Sequence, residues 1–216
     1  MACAFAKFLC FKKLLIQTMG SFFTILPINK LLSDTMSRKY KFHNKEGVYF
    51  VSFATVYWLD IFVRELYCNT VVESLDYCRK NKGLEIYCWC IMPSHIHLII
   101  RAKDNNPEIV LGKFKEHTSK QLTKQIAENA EESRKEWLLW MMQRAASKSS
   151  NVSNSQFWQH HNKPIELWTP EVTEQKVNYI HNNPVVSGFV REASDWKYSS
   201  AIDYAGGKGL LEIDYV

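Results

Sequence analysis

Strand-like and helix-like hydrophobic patterns alternate along the first half of the chain. The segment 47–56 is dense in β-branched and aromatic residues, which predicts a central strand. In the segment 63–82 apolar residues recur every three or four positions, and Gly83 follows a basic last turn, which predicts an amphipathic helix with its stop signal. The apolar runs 84–91 and 95–102 are separated by a short sequence containing proline, so we expect two further strands.

The second half begins with a long helical pattern and ends with a shorter helix. Residues 106–146 are predicted to be helical because apolar side chains repeat along one face. Residues 145–156 contain almost no apolar side chains, which predicts a flexible loop, and the apolar segment 164–168 predicts a strand. Thr169-Pro170 is a typical helix start, and we expect that helix to run to about Asn182.

The predicted order of elements is therefore β-α-β-β-α-β-α. This order indicates an α+β fold, a ferredoxin-like or RRM-like sandwich, in which an antiparallel sheet of four to five strands carries helices on one face. The other face is then expected to be open to a ligand. A length of 216 residues with 46% hydrophobic side chains excludes a disordered tail, and only 8 glycines and 6 prolines exclude a collagen-like chain.

The first 35 residues differ from the rest of the sequence. They carry four lysines and one aspartate, which is three of the five net positive charges. Their longest uncharged run, 14–29, is too short and too polar for a membrane span, so no membrane partner is expected. We interpret residues 1–35 as an optional or misassigned extension and residues 36–216 as one nearly neutral domain. A targeting segment and an integrated part of the fold are the alternatives.

Six cysteines without a C-x-x-C pair favour a reducing compartment, the cytoplasm. Cys88 and Cys90 alternate on a predicted strand and should face the same side. Their interpretation as two small buried side chains is favoured over a metal site, because no second Cys or His pair lies at zinc spacing.

Two histidines on a predicted strand form the first candidate site. In His95-Ile96-His97 both imidazoles project from one side of the strand, with their Cα atoms about 7 Å apart. Such a pair can converge on a divalent metal ion. As an isolated motif it is weak, because short motifs also arise by chance.

A tyrosine on the last predicted helix is the second candidate. A tyrosine in this position is usually a core or rim aromatic, and a phenol attacks only with a nearby base or metal. Asn183 lies one turn after Tyr179, a spacing that brings the two side chains together. Because Asn183 precedes Pro184, it is alternatively the N-cap of a further helix. The aromatics of the segment 195–200 are expected to pack against the helices.

A basic stripe lies opposite the apolar face of the 106–146 helix. At about 100° per residue its members fall together, although Lys115 departs from the pattern. It is either an ordinary solvated face or a contact surface for a polyanion. The stripe consists of Lys113, His117, Lys120 and Lys124.

Three segments, taken in order, resemble a known family. Residues 91–98 (IMPSHIHL) resemble the His-hydrophobic-His segment of single-tyrosine HUH transposases. Residues 177–185 (VNYIHNNPV) and 195–200 (DWKYSS) resemble the C-terminal signature of the REP-associated tyrosine transposases. Phe157-Trp158-Gln159 stands where that branch has a similar element. The resemblance covers roughly residues 40–200, and Ser94 departs from the asparagine that is frequent in the family.

The resemblance implies a metal-dependent endonuclease and strand transferase that acts on single-stranded or hairpin DNA, including repeats. His95 and His97 would hold a divalent ion, Mg²⁺ or Mn²⁺, and Asn183 matches the place of the third ligand. Tyr179 would attack the phosphorus and leave a 5′-phosphotyrosine and a free 3′-OH. The basic stripe is then interpreted as a DNA contact. The implied protein is a monomer or homodimer in the bacterial cytoplasm, associated with the nucleoid.

Two other functions stay open at this point. One is a non-catalytic module that binds single-stranded nucleic acid on the same sheet face. The other is a metal-dependent phosphodiesterase that uses water instead of Tyr179.

Overall fold

The computed structural model describes residues 42–103, 106–148 and 154–215. The expectations for residues 1–35, and for residues 149–153 of the predicted 145–156 loop, concern residues outside these ranges. The elements in chain order are β1 (Tyr49–Ala54), α1 (Glu65–Lys82), β2 (Leu84–Met92), β3 (His95–Ala102), α2 (Pro107–Glu128), α3 (Lys135–Ala146), β4 (Ile165–Glu166), α4 (Pro170–Val186) and α5 (Ala201–Tyr204).

The four strands form one sheet in the order β2-β3-β1-β4, and each neighbouring pair is antiparallel. The predicted α+β sandwich is thereby confirmed. Only two residues form β4, but the preceding segment continues along the same edge of β1. There Trp158 bridges to Thr55, and the Ser52 amide donates to the Asn162 carbonyl at 2.9 Å. The chain 157–166 therefore covers the outer edge of β1.

One face of the sheet, which we call the helical face, is covered by α1 and α2. Because side chains alternate along a strand, Ile96 and Leu98 of β3 both point to this face, together with Val51 of β1. All three are fully buried in the main core. Gly83 ends α1 in a left-handed conformation (φ 65°), and a Cβ there would lie 2.6 Å from the Lys103 carbonyl oxygen, so only glycine fits.

The opposite face, which we call the cleft face, is partly covered by α4. Ile180 of α4 packs with Cys88, Cys90 and Ile99 in a second, smaller core. Both cysteines are buried on the same side, as predicted. The expectation of a fully open second face is corrected here, because α4 lies over β2 and leaves only the region above β3 and β1 accessible.

The predicted long helix is broken into α2 and α3. The turn between them is built around Glu132, whose side chain is fully buried. Its carboxylate accepts hydrogen bonds from the Arg64 guanidinium at 2.5 Å and from the Arg134 amide at 3.2 Å. Asn129, at the end of α2, donates to the Tyr67 hydroxyl at 3.2 Å. A buried carboxylate needs such partners, and this network holds the turn.

Helix α4 extends beyond its predicted end near Asn182 to Val186. Among the described residues, none of the helices is both long and apolar enough to cross a membrane.

Candidate active site

The two histidines of β3 lie side by side on the cleft face. His95 pairs with Ala54 and His97 with Ser52 of the neighbouring strand β1. The two imidazole rings meet edge to face with centroids 4.7 Å apart. The Ser94 hydroxyl lies 3.2 Å from Nδ1 of His95. In the tautomer in which Nδ1–H donates to this hydroxyl, Nε2 carries the lone pair that binds a ligand. The strand alternation predicted from the sequence thus places both imidazoles next to each other on one face of the sheet.

Both imidazoles are neutral at physiological pH. Burial lowers the pKa of His95 to about 4. Burial also lowers the pKa of His97 to about 3, with smaller contributions from the nearby His95 and Lys176 charges. A neutral imidazole keeps a nitrogen lone pair, which is the form that binds a metal ion.

Helix α4 brings Tyr179 and Asn183 to the histidines. The helix begins at Pro170, and the Thr169 side chain caps it by accepting from the Val172 amide at 3.3 Å. Tyr179 and Asn183 are four residues apart and therefore share one face. The Asn183 amide nitrogen lies 3.3 Å from Nε2 of His97.

The alternative role of Asn183 as the N-cap of a new helix is wrong. Helix α4 continues through Pro184 to Val186, so Asn183 lies inside it. The proline is accommodated in the last turn, where the Ser187 amide still donates to the Asn183 carbonyl at 3.0 Å. Pro184 lacks a backbone N–H, so the Ile180 carbonyl one turn earlier loses its helical donor while the helix continues.

Tyr179 is not a core aromatic. Its side chain is 49% exposed at the rim of the cleft. Its ring meets the His97 ring edge to face at 5.3 Å between centroids. The Lys176 ammonium lies 5.6 Å from the centre of the Tyr179 ring and 5.0 Å from that of Phe50. The hydroxyl-bearing ring therefore stands beside the histidine pair and a cation.

The C-terminal segment fixes α4 on the sheet. His181 is buried, and its Nε2 lies 2.9 Å from the Ser200 hydroxyl and 3.2 Å from the Cys88 sulfur. The Ser200 hydroxyl also accepts from the Trp89 amide at 3.0 Å. The Trp196 indole donates to the Ile91 carbonyl at 3.0 Å. The segment 195–200 thus packs as expected and, in addition, hydrogen-bonds α4 to β2.

Together these elements enclose a cleft of about 570 Å³ on the cleft face. The histidine pair and Ser52 lie on its sheet side, α4 supplies one wall, and two loops complete the rim. A single chain supplies all of these residues. They include Ser52, Trp58, Lys163, Lys176, Tyr179 and Asn183.

Comparison with known families now identifies the chain. A family model described as "Transposase IS200 like" matches residues 48–157, about half of the sequence. The chain belongs to the IS200-like transposase family. The match includes His95 and His97 and ends before Tyr179. The placement of Tyr179 beside the histidines is therefore known from the structure of α4 and not from the family model.

Two bacterial proteins are similar to this transposase. One, from Haemophilus influenzae, is named as a REP-associated tyrosine transposase and is 25% identical over 136 residues, which cover 62% of this chain and 68% of the relative. The REP-associated tyrosine transposase of Escherichia coli K12 is 23% identical over 137 residues, covering 63% and 66%. The resemblance stated from the sequence motifs is confirmed.

A solved structure of a REP-associated tyrosine transposase bound to a REP hairpin has the same fold. Its TM-score with this transposase is 0.53 at 19% sequence identity, over 82% of this chain and 88% of the other.

The basic stripe of the transposase does not reach the cleft. Helix α2 packs on the helical face, so the sheet lies between the stripe and the histidine pair. Lys113 and Lys120 lie 3.4 and 2.8 Å from the Glu116 carboxylate, and Lys124 lies 3.9 Å from Glu128. His117 lines a groove between α1 and α2. The role of the stripe in DNA contact stays a prediction.

The residues of the cleft could hold a divalent ion. In the described ranges there is no group of three or more His, Cys, Asp or Glu side chains placed to bind a metal. The donors are instead two neutral imidazoles and the Asn183 amide, a nitrogen and oxygen set that suits Mn²⁺ better than Mg²⁺. Nε2 of His97 is the nitrogen beside Asn183, whereas Nδ1 of the same ring is buried and has no hydrogen-bond partner among the described residues. The donor set fits a divalent ion.

Lys176, Trp58 and Lys163 line the cleft but are not among the site residues that the sequence predicts. Lys176 lies three residues before Tyr179, and helical spacing alone would have placed it beside the tyrosine. Trp58 and Lys163 reach the cleft from loops with left-handed backbone at φ 58° and φ 45°. Neither is the glycine or asparagine that usually indicates such a conformation, so no local signal existed for them.

Proposed function

We propose that this transposase cleaves and rejoins single-stranded DNA at hairpins, with Tyr179 as the nucleophile. The observation that carries the proposal is the convergence of Tyr179, Asn183 and the neutral His95–His97 pair in one cleft of an IS200-like transposase chain. The hairpin bound in the structurally similar transposase supports hairpin DNA as the substrate. Association with the nucleoid remains the prediction for its location.

Cleavage begins when the Tyr179 oxygen attacks the scissile phosphorus. A bond forms between that oxygen and phosphorus, and the bond from phosphorus to O3′ breaks. The phenolic proton is lost to solvent, and the departing O3′ takes up a proton to give a free 3′-OH. The 5′-phosphate stays on Tyr179, so the bond energy is conserved. A 3′-OH that attacks this phosphotyrosine rejoins the strand and releases the tyrosine without a nucleotide cofactor.

The side chains around Tyr179 position the strand. Lys176 and Lys163 place two positive charges at the cleft, where they attract the phosphate backbone. His95, His97 and Asn183 would hold Mn²⁺ or Mg²⁺, which when bound supplies positive charge that polarises the scissile phosphate. A monomer or a homodimer remains the prediction for the assembly.

The test is incubation of the full-length protein with end-labelled hairpin oligonucleotides carrying single-stranded flanks, in Mn²⁺, in Mg²⁺ and in EDTA. We expect a DNA adduct that survives denaturing electrophoresis in the metal-containing samples. Tyr179→Phe should bind the hairpin and form no adduct. The matched control is Tyr77→Phe, because Tyr77 is also exposed but lies on α1, across the sheet.

Two results would contradict the proposal. Hairpin binding without cleavage in any metal would favour the non-catalytic binding module. Cleavage that leaves a free 5′-phosphate and persists in Tyr179→Phe would favour a phosphodiesterase that uses water.

A further inference from the structure

The loop after β1 holds an aromatic side chain at the cleft in a strained backbone. Tyr57 and Trp58 are consecutive and both left-handed, with φ of 53° and 58°. Side chains other than glycine rarely adopt this conformation, and bulky ones least of all. In the described ranges the only other such residue that is not glycine is Lys163. Two of these three strained residues therefore line the same cleft.

The surrounding structure holds this loop firmly. The Thr55 hydroxyl donates to the Leu59 carbonyl at 2.7 Å, which closes the turn around Tyr57 and Trp58. The Thr55 amide donates to the Ser94 carbonyl at 3.0 Å, and the Val56 amide to the Phe157 carbonyl at 2.8 Å. Strained backbone that is fixed in this way clusters at functional sites.

The strain does not serve to bury Trp58. Its side chain remains 53% exposed. It meets the His95 ring edge to face, with centroids 5.3 Å apart. The loop thus holds a large aromatic surface open to solvent, directly beside the histidine pair.

We propose that the Trp58 indole stacks on a nucleobase of the DNA strand next to the scissile phosphate. This rests on the proposed function, because it requires a DNA strand in the cleft. Exposed aromatic rings next to phosphate-binding cations are the usual platform for unpaired bases, and stacking tolerates any base. Lys163 and Lys176 supply the cations of this arrangement. Trp58 is thus a substrate-positioning residue.

The test measures binding rather than cleavage. Affinity for a fluorescent hairpin with single-stranded flanks is measured in the Tyr179→Phe protein, with an abasic site placed at each flanking nucleotide in turn. We expect Trp58→Ala to weaken binding on the order of tenfold, with Trp58→Phe close to the parent. On DNA that lacks the stacked base, Trp58→Ala should cause no further loss. 2-Aminopurine at that position should be quenched by the parent and not by Trp58→Ala.

The control is Trp140→Ala, since Trp140 is 50% exposed on α3 and does not line the cleft. It should bind like the parent. A Trp58→Ala loss that is the same for intact DNA and for every abasic DNA would overturn the stacking proposal and indicate a structural role beside His95. Hairpin binding that is insensitive to Trp58→Ala would overturn it as well. Hairpin binding by the wild-type protein without any adduct contradicts the proposed cleavage alone, whereas absence of hairpin binding in both proteins contradicts both proposals.

Discussion

Both faces of the sheet have lysines nearby, but the groups that surround these lysines differ between the two faces. On the helical face, Lys113 and Lys120 are exposed on α2 and lie next to the Glu116 carboxylate. On the cleft face, Lys163 and Lys176 have no carboxylate of the described residues within ion-pair distance, and they surround a histidine pair and a tyrosine. A lysine beside a carboxylate is already neutralised by it, whereas a lysine without one is available to a phosphate group.

The largest expected effect is on cleavage, when a histidine of the cleft is replaced and an exposed histidine outside the cleft serves as the control. His97→Ala should lower metal-dependent hairpin cleavage on the order of a hundredfold or more, because one of two imidazole ligands is lost. Hairpin binding should change little. The control His43→Ala removes an exposed histidine outside the cleft and should cleave normally. Cleavage rates in Mn²⁺ decide the matter, and full activity of His97→Ala would contradict the assignment.

The second effect concerns how α4 is held on the cleft face. Ser200→Ala removes the hydroxyl that contacts His181 and the Trp89 amide, leaving two buried polar groups without that partner. We expect the free energy of unfolding to fall by about 2–3 kcal/mol. Urea denaturation measures it. Ser187→Ala, at the exposed end of α4, is the control, and equal stability of the two variants would show that the hydroxyl does not hold the helix.

The third effect compares the lysines of the two faces directly. Replacing Lys163 and Lys176 with alanine should weaken hairpin binding about tenfold. The slope of log affinity against log salt concentration should become shallower by about 1.4, the value for two phosphate contacts to a single strand. Replacing Lys113 and Lys120 should have the smaller effect, because both already contact Glu116. Binding titrations at several salt concentrations measure both. A larger effect of the stripe would place the DNA path on the helical face.

The smallest effect concerns Lys115, which links α2 to the segment along the outer edge of β1. From α2 its ammonium donates to the Gln159 carbonyl and the Asn162 side chain, both at 2.8 Å, just before Lys163. Burial lowers the pKa of Lys115 to about 8. The unfolded chain, with the ordinary pKa near 10.4, then binds more protons between pH 8 and 10, so stability rises with pH in this window.

Compared with Lys115→Met, the wild type should therefore gain on the order of 1 kcal/mol in unfolding free energy between pH 8 and pH 10. Urea denaturation at these two pH values measures the difference. Parallel pH dependences of the two proteins would show that Lys115 does not titrate in this range.

Local patterns were sufficient for the strands and for α1, since period-two and helical repeats are properties of neighbouring residues. They failed where distant residues decide. Glu132 ends the long helix through Arg64, which lies 68 positions away in the chain. The rule for residues before proline made Asn183 an N-cap candidate, yet packing of α4 on the sheet carries the helix past Pro184.

The candidate site shows the same division. His95 and His97 could be predicted because strand alternation alone puts them on one side, and Tyr179 with Asn183 because helical spacing does the same. Only the tertiary structure could show that these two pairs meet. Trp58 could not be predicted, because its position depends on a loop conformation that its own residue type disfavours.

The most direct test of the central claim is peptide mapping of the adduct formed on hairpin DNA in Mn²⁺. After nuclease and protease digestion, mass spectrometry should find a nucleotide linked through its 5′-phosphate to Tyr179 alone. Tyr179→Phe should yield no linked peptide. A nucleotide linked to another residue, or complete cleavage with unmodified Tyr179, would contradict the account.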